Sequence, residues 1–165
     1  MPDAKLIVRA PLGTSFKHIQ KIINDKASWI FSQQQIARQT FKPRIEKKYV
    51  NGERFLYLGE TYNLFISQNA SMPLVFDGCE FTLCQKHIEN AEVHFIAWYK
   101  KKAKKIIHER AQMRACDSCI EFKTININSA KKRWGSCSSS GNLNFCWRLI
   151  MAPIKIIDYV IIHEI

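Results

Sequence analysis

Two residues near the end of the chain could do chemistry together: His163 and Glu164, at the close of the run Ile157-Asp158-Tyr159-Val160-Ile161-Ile162-His163-Glu164-Ile165. They match the first half of H-E-x-x-H. In that motif two histidines, four apart on one helix face, bind zinc, and the glutamate between them works on the bound water as general base. The second histidine would stand four residues after His163, past Ile165. A zinc site needs about three protein ligands and an open position for water, and His163 supplies one. For the pair taken alone, the alternative is two incidental polar residues near a helix end.

The element that must position the pair is a helix opened by Pro153, whose missing N–H has no intrahelical partner at a first turn. Ile154, Ile156, Ile157, Tyr159, Val160, Ile161 and Ile162 make it apolar almost all round, with Lys155 and Asp158 as its polar stripe. Such a helix is buried on most of its circumference. His163 lies over Tyr159 and Ile156, and Glu164 over Val160 and Ile157, so both are expected to face inward, where they need partners. Lys131–Cys137 and Asn142–Leu149 read as the strands of a hairpin turning at Ser138-Ser139-Ser140-Gly141. Cys137 and Cys146 sit on its two arms, where they can face each other.

The run Arg133-Trp134-Gly135-Ser136-Cys137, then Gly141-Asn142-Leu143-Asn144, Trp147-Arg148-Leu149-Ile150, Pro153 and 157–164, resembles the YgjP-like metallopeptidase family. These are small bacterial and archaeal proteins related to the zincin-type proteases of the SprT and WLM groups. The match is dense here and weaker over nearly the whole chain. The resemblance implies an α+β fold: a zincin-like core of a long helix, an antiparallel-rich sheet and an active-site helix, with an N-terminal β-meander. It implies His163 as a zinc ligand, Glu164 as the catalytic general base, zinc as cofactor, and a peptide or protein as substrate. The family continues with a second histidine one turn on and a third ligand in a following helix. The chain therefore reads as a C-terminally truncated domain lacking its last helix, expected neither to hold zinc stably nor to be a competent hydrolase alone. In zincins an edge strand beside the metal pairs with an extended substrate. By analogy that role falls to Arg133–Cys137 or Leu143–Trp147, with Arg133, Trp134, Gly135, Ser136 and Asn144 as candidates. Without a covering helix, Ile161, Ile162 and Ile165 form a bare apolar patch, which predicts self-association.

Length and composition bound the rest. The 165 residues fit one domain, 1–165, with a helix and meander part (1–88) and a zincin-like part (89–165). Apolar content of 47% with 24% charged residues excludes a disordered chain. No apolar run reaches signal-peptide or membrane-span length, so a cytoplasmic protein without membrane contact is expected. The six cysteines then read as free thiols. Cys116-Asp117-Ser118-Cys119 lacks a second pair at zinc-ribbon spacing and reads as structural, a metal or redox role being its alternative.

Twenty-five basic against fourteen acidic residues give +11, a balance that favours polyanion contact or simply a solvated basic surface. Lys100, Lys101, Lys102, Lys104 and Lys105 are the candidates for nonspecific nucleic-acid contact, although they span more than one turn and cannot all share a face. The alternative function is thus a basic nucleic-acid-binding accessory protein that keeps the fold without catalysis. Salt-sensitive binding without hydrolysis would favour it.

In chain order, Lys5–Ala10 reads as a strand. Thr14 or Ser15 caps a helix with the stripe Phe16, Ile19, Ile22, Ile23, Ala27 and Ile30, reaching about Gln35. A polar connector follows, then a β-meander over 48–86 with turns at Asn51-Gly52, Gly59-Glu60 and Asp77-Gly78. Tyr49, Phe55, Tyr57, Tyr62 and Phe65 read as its packing residues. A long helix runs from about Asn90 to Ala115 on a stripe of Ala91, Phe95, Trp98 and Ile106 or Ile107. His94 and His108, fourteen apart on it, are too far apart to share a metal. Ile120–Ile127 begins the sheet that the final hairpin joins.

Overall fold

Ser15 stands extended ahead of the first helix, α1 (Phe16–Asp25), and its hydroxyl accepts the His18 N–H at 3.3 Å, the capping role expected of it. The computed structural model describes residues 6–40, 46–118 and 120–165. They fall into two compact units, Met1–Glu46 and Lys47–Ile165. In the first, the helix expected to run on to Gln35 is broken at Lys26 and resumes as α2 (Ala27–Thr40). Ile19, Ile22 and Ile23, with Leu6, Val8 and Trp29, line a groove of about 560 Å³ in this unit. The described residues 6–10 form no strand. Their β-branched side chains suit one, but the described residues of the unit supply no second strand to hydrogen-bond with.

The second unit begins with β1 (Arg54–Tyr57), β2 (Glu60–Ser67), β3 (Leu74–Phe76) and β4 (Glu80–Cys84). Their order in the sheet is β1-β2-β4-β3, with β2 and β4 parallel and the other pairs antiparallel. A meander would have kept sequence neighbours together. Here the β3–β4 hairpin docks through its second arm, because β4 carries the fully buried Phe81 and Leu83 and belongs in the interior. The β1–β2 turn is made by Leu58-Gly59, both at positive φ, one residue before the expected position. Of the expected packing residues, Phe55 and Tyr57 are buried and Tyr49 and Tyr62 lie against the core. Phe65 is exposed.

A 3-10 turn, Gln85–Asn90, leads into α3 (Ala91–Ser118). Every fourth residue of that helix is buried: Ala91, Phe95, Tyr99, Ala103, Ile107, Ala111 and Ala115. The four alanines let neighbouring elements approach closely, while Trp98 and Ile106 flank the stripe half-buried. The chain continues through β5 (Thr124–Asn128), β6 (Gly135–Cys137), β7 (Asn142–Cys146), a 3-10 turn over Trp147–Met151, and α4 (Ile154–Glu164). The second sheet has the order β5-β7-β6, with β5 parallel and β6 antiparallel to β7. Phe81, Phe95, Ile107, Phe145, Ile157 and Ile161 belong to one hydrophobic core that joins both sheets to α3 and α4. The class is α+β, and no helix is long and apolar enough to cross a membrane.

Register settles the cysteines. Cys137 stands opposite Leu143, while Cys146 is buried with its thiol directed to the Ala130 carbonyl at 3.1 Å. The two do not face each other, because the hairpin turn sets them out of register. Among the described residues the cysteines are free thiols. Of the Cys116–Cys119 pair, Cys116 is an exposed free thiol and Cys119 lies outside the described residues.

Candidate functional site

The second sheet has one apolar and one polar face, as strand alternation requires. Ile125, Ile127, Leu143 and Phe145 lie on the side packed against the core. Thr124, Asn126, Asn142 and Asn144 alternate with them on the other side, and Ser136 stands opposite Asn144. Gly135, opposite Phe145, therefore presents its bare Cα towards the core side.

β6 is an edge strand, and its register says which of its backbone groups are free. Cys146 N–H donates to the Trp134 carbonyl at 2.8 Å, and Ser138 N–H to the Asn142 carbonyl at 3.0 Å. Antiparallel pairs alternate between hydrogen-bonded and non-bonded partners, so the N–H and C=O groups of Gly135 and Cys137 point away from β7. An added strand could pair there. β7 is the central strand, which removes Leu143–Trp147 from the two expected substrate strands.

Glu164 sits against that edge. A Cβ built on Gly135 would meet Glu164 Cγ at 2.7 Å and Cδ and Oε1 at 3.0 Å each. Glycine is required there for space, since its φ is not positive. Glu164 thus faces inward as expected, half-buried on the edge strand. His163 does not. It is exposed, with its ring parallel to that of Tyr159 at 6.3 Å between centroids. His163 shares the stripe of Ile156 and Tyr159, but that stripe faces out: Ile156, Tyr159 and Ile162 are all exposed. Of the expected bare patch, only Ile162 is exposed, for Ile161 is fully buried and Ile165 packs against the core.

Asp158, expected on a polar stripe, is the buried acid of α4. Arg110 Nε donates to Oδ1 at 2.6 Å and Arg114 Nη2 to Oδ2 at 2.7 Å, and a second Arg110 nitrogen also donates to Oδ2. The hydrogen bond from Arg110 holds this carboxyl below its ordinary pKa; burial opposes it and Arg114 adds to it. The same bonds raise both guanidinium pKa values. The pair of arginines one turn apart on α3 was the signal available, since it asks for an acid from a facing element. At its other end α4 is set by the first sheet: Leu58 and Gly59 N–H groups donate to the Ile150 and Met151 carbonyls, at 2.9 and 3.1 Å, just ahead of Pro153.

A model of the YgjP-like metallopeptidase domain matches residues 1–165. The chain belongs to that family. No curated protein and no solved structure matches it. In a YgjP-like domain the implied cofactor is a metal ion, and the residues here can be tested against it. Among the described residues no group of three or more His, Cys, Asp or Glu side chains is placed to hold one. His163 offers one imidazole to solvent, and Glu164 offers a carboxylate to the β6 edge. The described residues alone do not compose a ligand set.

The other expected site residues divide. Arg133 and Trp134 are exposed at the entry to β6, whereas Ser136 and Asn144 lie on the sheet face away from Glu164. On α3, Lys100, Lys101, Lys104 and Lys105 are exposed together on one flank with His108. Lys102 falls off it, half-buried with Nζ 5.5 Å from the centre of the Trp98 ring. Glu109, 4.0 Å from Lys105, interrupts the positive charge.

Proposed function

We propose that this chain supplies the substrate strand and the general base of a zinc-dependent peptide-hydrolysing site. Glu164 is the base, His163 is one ligand, and β6 takes up an extended peptide. The observation that carries the reading is the seat of Glu164 on Gly135. It puts a proton-accepting carboxylate beside the free backbone edge where a peptide would add as a further strand. Peptide side chains on one face would then neighbour Gly135 and Glu164, and those on the other face Ser136. Arg133 and Trp134 flank the entry.

The reading is tested by adding an uncleavable extended peptide and following backbone amides by NMR. The Gly135 and Cys137 amides, which point outward, are expected to shift more than those of Trp134 and Ser136. Shifts confined to the lysine flank of α3 would sink it.

No metal-dependent step is ascribed to these residues by themselves, because one imidazole leaves an ion with most of its waters. The 165-residue chain is expected to hydrolyse no peptide, and to retain no zinc through dialysis against a chelator. One equivalent of zinc surviving that dialysis would show a ligand set that these side chains do not provide.

A further inference from the structure

The imidazoles of His87 and His94 meet where the Gln85–Asn90 turn passes into α3, with centroids 4.9 Å apart and planes at 76°. Both residues are half-buried. Apart from this ring contact, neither side chain has a hydrogen-bond or charged partner among the described residues. Each neutral ring carries one lone-pair nitrogen, so the contact brings two possible ligand atoms into one place.

Their spacing suits a shared ion. With metal–nitrogen bonds of about 2.0–2.1 Å, and the nitrogen roughly 1.1 Å from the ring centre, two imidazoles on one tetrahedral ion hold their centroids about 5 Å apart. We propose that His87 and His94 form a two-imidazole site for a borderline divalent transition-metal ion such as zinc, nickel or cobalt(II). Water completes the coordination, so the ion is exchangeable. The site is carried by the 3-10 turn and the first turn of α3, elements that hold none of the α4 residues, and it does not depend on the proposed peptide site.

The ion would act as a staple. His87 follows three residues after Cys84, the end of the strand interior to the first sheet. His94 belongs to the helix on which the core is built. An ion bound to both closes the junction between them and stabilises the folded chain by mass action.

The test is a titration of the full chain with zinc chloride, read by calorimetry and by the imidazole ¹⁵N resonances. Wild type is expected to bind one equivalent with a dissociation constant of roughly tens of micromolar, far weaker than four-ligand sites. Its Tm should rise with zinc. His87→Ala and His94→Ala should each weaken binding at least about tenfold and abolish the zinc-dependent rise, while matching wild-type Tm in chelator. His108→Ala, at an exposed histidine further along α3, should bind as wild type does. Unchanged affinity in either of the first two variants, loss of binding in His108→Ala, or no binding up to millimolar zinc would each overturn the assignment.

Discussion

Asp158→Ala lowers the unfolding free energy by about 2–3 kcal/mol. Removing one partner of a buried ion pair costs about 3–5 kcal/mol, because the charge left behind has neither water nor a counter-ion. Here the figure is discounted, since the Arg110 and Arg114 side chains keep 23% and 30% of their exposure and can partly rehydrate. Asp158→Asn preserves the volume and loses nearly as much, which separates ion pairing from packing. The carboxyl has a depressed pKa in the folded protein, chiefly through the Arg110 hydrogen bond. Its contribution is therefore complete above the unfolded value of about 4, and is lost as pH falls through the lower folded value. Urea midpoints of wild type and Asp158→Asn should differ at neutral pH and converge in acid below about pH 4. A difference under about 0.5 kcal/mol, or one that pH does not alter, would mean that the carboxylate does not clamp α4 to α3. Amide exchange should report the same event, with α4 opening sooner than α3 in the variant.

That clamp marks where sequence reading stopped. α3 was legible as a helix, and Ala91, Phe95 and Ile107 of its expected stripe are buried. The bulk of Trp98 masked the strict four-residue spacing that buries Tyr99 and Ala103. The inner face of α4 was not legible, because isoleucine occupies nearly every direction around it. A helix apolar on all sides does not say which side is inside, and Asp158 looked like the solvent stripe for want of a visible partner. Its partners lie 44 and 48 residues away in sequence, and no local pattern carries that distance. The exposure of His163 follows from the same ambiguity: once Asp158 turns inward, the stripe of Ile156, Tyr159 and His163 must turn out. The strands after residue 48 were found and the one expected over Lys5–Ala10 was not, nor was the order of the first sheet. Whether β4 lies beside β3 alone or between β2 and β3 depends on which arm buries more, and that comparison is made across the sheet. The edge status of β6, on which the proposed site rests, is likewise a property of the pairing and not of any residue in it.

Gly135→Ala is expected to cost about 1 kcal/mol in the wild-type background and to change sign when Glu164 is removed. The glycine has an ordinary strand conformation, so alanine brings no backbone strain and restricts the unfolded chain, a gain of roughly 0.4–1 kcal/mol where nothing is in the way. What is in the way is Glu164, with Cγ at 2.7 Å from the new methyl position and Cδ and Oε1 at 3.0 Å. These atoms belong to a side chain that can rotate, so the helix stays and the carboxylate moves. The cost is that of an overpacked contact relieved by a poorer rotamer. In a Glu164→Ala background the space is empty, and the same Gly135→Ala change becomes neutral or stabilising. The double-mutant cycle should yield a coupling of about 1–2 kcal/mol between two residues 29 positions apart, measured by urea unfolding of the four proteins. An equal effect of Gly135→Ala in both backgrounds would mean that the glycine answers to some other neighbour. Glu164 would then have no fixed seat beside the free edge of β6, and a base without a fixed position relative to the strand could not act on a peptide bound there.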